Sequence, residues 1–566
     1  MAVSKKIRIG DLLVSEGIIT EEQLQESLKA QKGTGRKLGR MLIDMGAVSE
    51  DKFLSFLSTQ LNIPLVDLRH FKFNTELVKV IPEALARRFR ALALTRETDG
   101  LLVGMADPTD LFAIDKIAAR TNENIKPAVV RESDLLRALD NVYRRTDEIE
   151  NIAEELGEEL SQTDFNIADL LPNSQLEDAP VVRLLQTLFE DAVQVGASDI
   201  HIEPDENVLR IRQRIDGVLQ EQTMKEKRIG SALVSRLKLM SGLDISERRL
   251  PQDGRFNIRV KNKSIDIRLS TMPLQYGEAV VMRLLDQSGG ILGLDKIGMP
   301  PAILENFRRY IHHPHGLVLV TGPTGSGKTT TLYGALNEIN SAEKKIITVE
   351  DPVEYRLPRI NQVQVNTKVG LTFAGVLRTA LRQDPDIVMV GEMRDQETAQ
   401  IGLRAAMTGH LVLSTLHTND AVSTALRLID MGAEGYVVAT SLRAVLAQRL
   451  VRRICDSCAA PVQLSAQEQS WLKTRCGDNA NTEGFKQGVG CTQCNNTGYH
   501  GRIGIFELLE MNPELTDALR RNNSSDFAKA AHAQDGFFSL TDCALAYARR
   551  GITSIEEVIR VAGQVD

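Results

Sequence analysis

The sequence predicts an α/β protein of several domains, organised around a phosphate-binding loop. Three observations lead there. Gly322-Pro323-Thr324-Gly325-Ser326-Gly327-Lys328-Thr329 follows the apolar run Leu317–Val320 and precedes Thr330–Asn337, which reads as a helix. Strand, glycine-rich turn and helix is the context such a loop requires. Two later apolar strands, Ile346–Val349 and Ile387–Val390, each run into carboxylates. The 566 residues also exceed the roughly 250–300 that one core organises.

The loop's chemistry follows from its residue types. Glycines let successive N–H groups face one anion, and the helix N-terminus adds partial positive charge. Lys328 is placed to reach the β- and γ-phosphates, Thr329 to put its hydroxyl on Mg²⁺, and Thr330 opens the helix beside them. A nucleotide, ATP with Mg²⁺, is therefore the expected ligand.

Bulk properties restrict the rest. A net charge of −7 carries no basic footprint, so no nucleic-acid partner is expected. Met1–Gly10 has no apolar h-region, so no signal peptide is expected. No apolar run approaches the roughly 18 residues of a membrane span. A cytoplasmic protein with at most a peripheral membrane role is the expectation. Six cysteines, four of them in two Cys-x-x-Cys pairs, suit a metal site in a reducing compartment.

The first sixty residues contain a repeat with an offset of 29 residues. Arg8-Ile9-Gly10 matches Lys37-Leu38-Gly39, Leu13 matches Leu42, and Gly17 matches Gly46. Leu24, Leu28 and Gln31 match Phe53, Leu57 and Gln60. Each copy reads as helix, glycine turn, N-cap (Thr20, Ser49) and second helix. Spacing alone leaves open a duplicated helical bundle or a pair of pockets for a two-fold ligand. The run resembles the tandem cyclic-di-GMP motif of the MshEN domain. That resemblance implies that Arg8 and Lys37 pair with phosphates and that Ile9, Leu24, Leu28, Leu38, Phe53 and Leu57 pack on purines. Gly10 and Gly39 fill the glycine position of each copy, and the resemblance also implies that Gln31 and Gln60 each bond a base edge or the backbone. Lys37, where the motif has Arg, loses bidentate geometry. Residues 61–145 read as a compact α/β region with strands at Phe89–Leu94 and Leu101–Ala106. Asp107 after the second strand is open to two readings, a guanine contact or a plain turn aspartate.

Thr146–Pro180 carries many acidic residues and no Lys or Arg, and reads as a hydrated linker with some transient helix. Val181 then opens a helix. The alternating strand Leu209–Gly217 puts Arg210, Arg212 and Arg214 on one face. A solvated face explains them; so does presentation of an arginine finger to a γ-phosphate, with Arg255 and Arg268 as further candidates.

Beyond the loop, Glu350 and Glu392 end their strands where a phosphate-loop ATPase orients Mg²⁺ or attacking water. His410 and His417 flank a later apolar strand and are candidate γ-phosphate sensors. The order of glycine loop, Glu350-Asp-Pro-Val-Glu354, Gly391-Glu-Met-Arg-Asp395 and Thr408-Gly-His…Leu416-His-Thr418 resembles the type II secretion/type IV pilus ATPases (the GspE/PilB/PilT superfamily). It resembles most the assembly ATPases of mannose-sensitive haemagglutinin (MSHA) pili. The resemblance covers about residues 180–566. It implies a RecA-like P-loop core preceded by an α/β, PAS-like domain, a homohexamer, arginines supplied across the ring, and an inner-membrane platform protein as partner.

Cys455-x-x-Cys458 and Cys491-x-x-Cys494 have the form of a structural zinc site, with redox use as the alternative. A tetracysteine insert also resembles that of the assembly ATPases. The expected organisation is thus residues 1–145 as a mainly helical MshEN-type regulatory region, 146–180 as linker, 181–290 as an arginine-bearing subdomain, and 291–566 as ATPase core with its zinc insert at 455–494. The expected function is ATP hydrolysis driving MSHA-like pilus assembly under cyclic-di-GMP control. A type II secretion ATPase, a binding protein with a decayed core and a DNA translocase are the rivals.

Overall fold

The computed structural model describes residues 9–34, 38–69, 71, 73–143, 149, 151–157, 180–260, 263–286, 290, 292–477 and 480–565. The chain packs as two compact units, residues 1–145 with 490–497, and 146–489 with 498–566.

In the first unit the repeat forms four helices, Ile9–Ser15, Glu21–Thr34, Leu38–Asp44 and Glu50–Leu61. Gly17 and Gly46, one repeat apart, both turn the chain at left-handed φ values of 69° and 71°, a conformation glycine adopts without steric cost. Leu13, Leu42, Ile19, Val48, Leu24 and Phe56 bury together as the bundle core. A mixed sheet follows. Strands β1 (Ala91–Glu97) and β2 (Gly100–Met105) are antiparallel, and β3 (Ile125–Val129) lies parallel to β2. The first strand starts later than the sequence suggests. Phe89 ends helix Glu83–Phe89, and Arg90 caps it in the left-handed region.

The second unit contains two large sheets. The first has order β6-β5-β4-β9-β8-β7 and is antiparallel throughout. Its strands are β4 (Asp199–Pro204), β5 (Leu209–Ile215), β6 (Val218–Met224), β7 (Gln252–Val260), β8 (Lys263–Leu274) and β9 (Gly277–Asp286). Helices Pro180–Gln194 and Ile229–Met240 share its core. β5 alternates as expected, with Leu209, Ile211 and Gln213 buried and the three arginines on the other face. Asp216 and Gly217, at φ 49° and 86°, close the β5–β6 hairpin as a primed turn. Part of the acidic stretch is packed, not hydrated. Residues 151–157 are helical, and Ile152, Ala153 and Leu156 sit in this core together with Ile149. Residues 158–179 lie outside the described residues.

The second sheet has order β12-β11-β13-β14-β10-β15-β18. Its strands are β10 (Gly316–Thr321), β11 (Ile346–Glu350), β12 (Asn361–Gln364), β13 (Ile387–Val390), β14 (Leu411–Leu416), β15 (Leu442–Ile454) and β18 (Tyr499–Glu510), with a small β16–β17 hairpin (Ala459–Pro461, Lys486–Gly488) between the last two. All pairs are parallel except β15–β18. Both faces are covered. Val318, Val320, Leu413 and Leu446 pack on one side, with Leu336 of helix Lys328–Ile339. Leu317, Leu319, Val412 and Val445 pack on the other. That double burial is why the central strands read as unbroken apolar runs.

Candidate active site

Parallel strands deliver their following loops to one edge of the sheet. Thr321 pairs with Leu416, Val390 with Ser414, and Val349 with Val390. The phosphate loop, Glu350, Glu392 and His417 therefore emerge side by side at the carboxyl end, where ligands bind in open α/β sheets.

The loop runs from Gly322 to Gly327, and helix Lys328–Ile339 starts immediately after it. Gly322 sits at φ 144°, and a Cβ there would lie 2.3 Å from the Gln448 carbonyl oxygen, so no side chain fits. Thr324, Gly325, Thr329 and Thr330 are exposed on the open side, while Ser326 is buried beneath. The Lys328 ammonium donates to the Gly322 and Pro323 carbonyls at 2.8 and 3.1 Å. Burial lowers its pKa to about 8, against the opposing pull of Glu392.

Glu392 is positioned by Gly391. The Gly391 N–H donates to Val349 at 2.8 Å, and its carbonyl accepts from the Thr415 hydroxyl at 2.6 Å. The Glu392 carboxylate pairs with Arg394 and lies 3.4 Å from His417 Nε2. Lys328, Glu392 and His417 thus form one cluster. His410 does not join it. It precedes β14 at the opposite end of the sheet, where its Nδ1 meets the Ala405 carbonyl at 3.0 Å. A six-residue strand, about 20 Å long, separates it from His417.

Glu350 differs from Glu392. Only 3% exposed, it accepts from the Tyr333 hydroxyl, the Thr348 hydroxyl and Gln362 Nε2. Burial first, and the adjacent Glu350 second, hold the Tyr333 hydroxyl above its ordinary pKa, so it stays a donor. Sequence reasoning missed this enclosure, since nothing local marks Tyr333 or Gln362 as its partners.

The arginines separate too. Arg255, Arg268 and Arg283 line an open cleft of about 550 Å³ that Pro352 and Gln364 close from the ATPase side. Arg268 forms a two-point pair with Glu354 at 2.5 and 3.1 Å. Arg255 pairs with Asp266 at 2.7 Å. Arg210 and Arg212 are not among the cleft residues; they pair with Asp205, in the turn after β4, and with Glu203 on β4.

The four paired cysteines converge. Their sulfurs all lie within 4.8 Å of one another and all four residues are buried. The Cys491 and Cys494 sulfurs are 3.7 Å apart, and the Cys491 N–H donates to the Cys494 sulfur at 3.2 Å. A tetrahedral ion with Zn–S bonds of about 2.3 Å needs sulfurs roughly 3.8 Å apart, so the donor set fits such an ion. Gly488 and Gly498 let two chain segments approach closely, since a Cβ on Gly488 would lie 1.9 Å from the Gly498 carbonyl oxygen.

Among the proposed cyclic-di-GMP residues, Arg8 and Lys37 lie outside the described residues. Ile9, Gly10 and Gln31 fall in helices whose side chains there are not described. Leu24 and Leu57 are buried, Leu28, Leu38 and Phe53 half-buried, and Gln60 exposed. Gly39 abuts the Phe53 ring. Asp107 accepts from the Thr109 N–H and hydroxyl at 3.0 and 2.6 Å, the turn role of an aspartate.

A glycine loop, its lysine and a carboxylate at the carboxyl edge of a largely parallel sheet define a RecA-like P-loop ATPase. Comparison with known proteins narrows the class. Residues 174–560 match the family described as Type II/IV secretion system protein, and residues 61–149 match the MshEN domain. The chain belongs to the type II/IV secretion system ATPase family. It is 41% identical to the type IV pilus assembly ATPase PilB of Myxococcus xanthus over 98% of each chain. It is 42% identical to the type II secretion system ATPase E of Vibrio cholerae, over 86% of this chain and 97% of that one. The Legionella pneumophila ATPase DotB, 22% identical with a TM-score of 0.50 over 67% of this chain and 96% of that one, shares the fold. The MshEN match starts at residue 61, after the repeat.

Proposed function

We propose that this ATPase is a hexameric motor that assembles type IV pili of the MSHA kind and is regulated by cyclic-di-GMP. The observation that carries the hydrolytic part is the convergence of Lys328, Glu392 and His417 beside the exposed Thr329. Lys328 leaves its two loop carbonyls to pair with the β- and γ-phosphates, and the Thr329 hydroxyl and Glu392 hold Mg²⁺. Glu392 orients the attacking water, with His417 beside it to report on the γ-phosphate. Arg255 and Arg268 face the cleft from the preceding domain and supply charge to the transferring phosphoryl group. An inner-membrane platform protein receives the motion, so the motor works at the cytoplasmic face of that membrane. Among the described residues no helix is long and apolar enough to cross it.

The regulatory part rests on the MshEN match and on the tandem motif at Arg8–Gln31 and Lys37–Gln60. Cyclic-di-GMP lies against that repeat, with Arg8 and Lys37 on its phosphates. The four cysteines hold a structural zinc ion that fixes the 455–494 excursion. The secretion reading keeps a place beside the pilus reading because the Vibrio cholerae relative covers the ATPase region at 42% identity.

Lys328→Ala is expected to abolish ATP turnover in a phosphate-release assay; retained turnover overturns the site. Calorimetry with cyclic-di-GMP on wild type and Arg8→Ala separates the regulatory claim, with saturable binding lost in the variant as the expected result. Wild-type protein that binds none leaves a motor without that control. A strain lacking the chain and complemented with wild type or Lys328→Ala tells pili from secreted enzymes. Metal analysis of purified protein is expected to give one zinc per chain, lost in Cys455→Ser/Cys491→Ser.

A further inference from the structure

The phosphate loop rests on a side chain that its own motif does not contain. Gln448, on β15, is 3% exposed and reaches the loop from below. Its Nε2 donates to the Ser326 carbonyl at 2.8 Å, and its Oε1 accepts from the Thr331 hydroxyl at 2.7 Å. The amide's orientation follows from its partners. A carbonyl only accepts, so the NH₂ end must face Ser326, which leaves the oxygen for the Thr331 hydroxyl. Gly322, at the other end of the loop, lies against the Gln448 backbone carbonyl, and a Cβ on Gly327 would be 3.1 Å from Nε2.

We propose that Gln448 is a positioning residue for ATP binding and hydrolysis, holding the phosphate loop in its anion-accepting conformation. The inference rests on the ATP-hydrolysing reading of this site. In a trans peptide the C=O and the following N–H point in opposite directions. Tying the Ser326 carbonyl down to Gln448 therefore turns the Gly327 N–H outward, toward the side where phosphate sits. Glycine peptides on both sides of this link rotate freely, so the loop's sequence alone does not choose between the two faces. The bond to Thr331 locks the same amide to the first turn of helix Lys328–Ile339, so that loop and helix N-terminus present their N–H groups together. The neighbouring residue extends the arrangement. Arg449 donates to the Asn419 carbonyl and side-chain oxygen at 3.3 and 3.2 Å, two residues beyond His417. One strand thus sets both the loop that holds phosphate and the loop that carries the histidine.

The test uses the full chain with MgADP and MgATP as probes. Gln448→Met keeps the length and volume and removes both amide bonds. MgADP affinity by calorimetry is expected to fall at least tenfold and kcat to fall with it. The rise in unfolding midpoint on adding MgADP is expected to shrink. A purely structural role lowers the midpoints with and without nucleotide equally and leaves that rise unchanged. Thr331→Val is expected to give a smaller loss, and Thr331→Ser to restore wild-type values. Gln448→Met that binds MgADP within twofold of wild type and keeps its kcat overturns the inference. If Gln448→Met does not fold, Gln448→Glu decides. It keeps an acceptor for Thr331 and loses the donor to Ser326, so wild-type MgADP affinity at pH 8.5 overturns the inference equally. A wild-type chain that hydrolyses no ATP sinks the reading of the site instead, which the same assay shows independently.

Discussion

Two neighbouring strands, β11 and β13, end in glutamates that sequence pattern treats alike, and the structure makes them opposites. Glu350 is closed in by three donors and 3% exposed. Glu392 opens to the cluster of Lys328, His417 and Arg394. The difference comes from what packs over each strand end. Tyr333, from the helix after the phosphate loop, covers β11, whereas β13 is followed by Gly391, whose lack of a side chain leaves room beside the Val349 carbonyl, 3.2 Å from where a Cβ would lie. A carboxylate whose oxygens accept from packed, neutral donors holds structure; the oxygens of Glu392 instead meet Arg394 and His417, whose side chains are 62% and 50% exposed and free to turn aside for Mg²⁺ and water.

The sharpest way to break this contrast is to neutralise both. Glu392→Gln is expected to lower kcat by about 100-fold or more, the range lost with a positioned acid–base group, while MgADP still binds and the unfolding midpoint stays put. Glu350→Gln is expected to behave the other way. The Tyr333 oxygen already accepts from the Glu354 N–H at 3.2 Å, so it cannot turn to accept from a new amide as well without loss. One buried group is left unpaired, at a cost of about 1–3 kcal/mol, read as a lower midpoint for the ATPase core with kcat changed less than tenfold. Equal kcat losses in the two variants would end the distinction.

The contrast also shows what could be read from sequence. The strand–loop–helix at 316–339 and the strands before Glu350 and Glu392 were legible because apolar runs, glycines and carboxylates are local signals. The register of the repeat was legible for the same reason, and Gly17 and Gly46 carry it into matching backbone angles. Partners brought by tertiary packing were not legible. Gln448 lies 122 residues from Ser326 in sequence, and nothing near it marks a nucleotide site. His410 and His417 looked equivalent as flanks of one strand, yet a parallel sheet puts only the carboxyl flank at the ligand edge. The acidic run at 146–180 hid Ile149, Ile152, Ala153 and Leu156, whose spacing of three and four residues fits one helix face, because charge density masked the pattern.

A smaller effect sharpens the comparison from the β11 side. Glu354, four residues after Glu350, anchors Arg268 of the antiparallel sheet in a pair whose side chains are 20% and 26% exposed. A double-mutant cycle on Arg268→Ala and Glu354→Ala is expected to give a coupling of about 1 kcal/mol. Arg255→Ala and Arg268→Ala are expected to lower kcat by about tenfold, and Arg210→Ala and Arg212→Ala to leave it within twofold. Loss of activity in Arg212→Ala as large as in Arg268→Ala would show that lining the cleft does not select the acting arginines.

The smallest effect reads the β13 side through Lys328. Burial lowers this lysine to about pH 8, and Glu392 works against that. In the protein without nucleotide the ammonium is thus increasingly neutral above about pH 8. Phosphates favour its charged form and raise its pKa, so between the two values binding recruits a proton and affinity falls as pH rises. Calorimetry of MgADP binding at pH 8.5 in two buffers of different ionisation enthalpy is expected to show uptake of a fraction of a proton. Lys328→Arg keeps a permanent charge and is expected to abolish that uptake. Glu392→Gln removes the neighbour that holds the lysine charged, so uptake is expected to begin at lower pH, whereas Glu350→Gln, whose carboxylate is not among the causes of the shift, is expected to leave it in place. Equal displacement by the two substitutions would mean that Lys328 senses both strand ends alike, and the asymmetry between β11 and β13 would then be one of packing without electrostatic consequence.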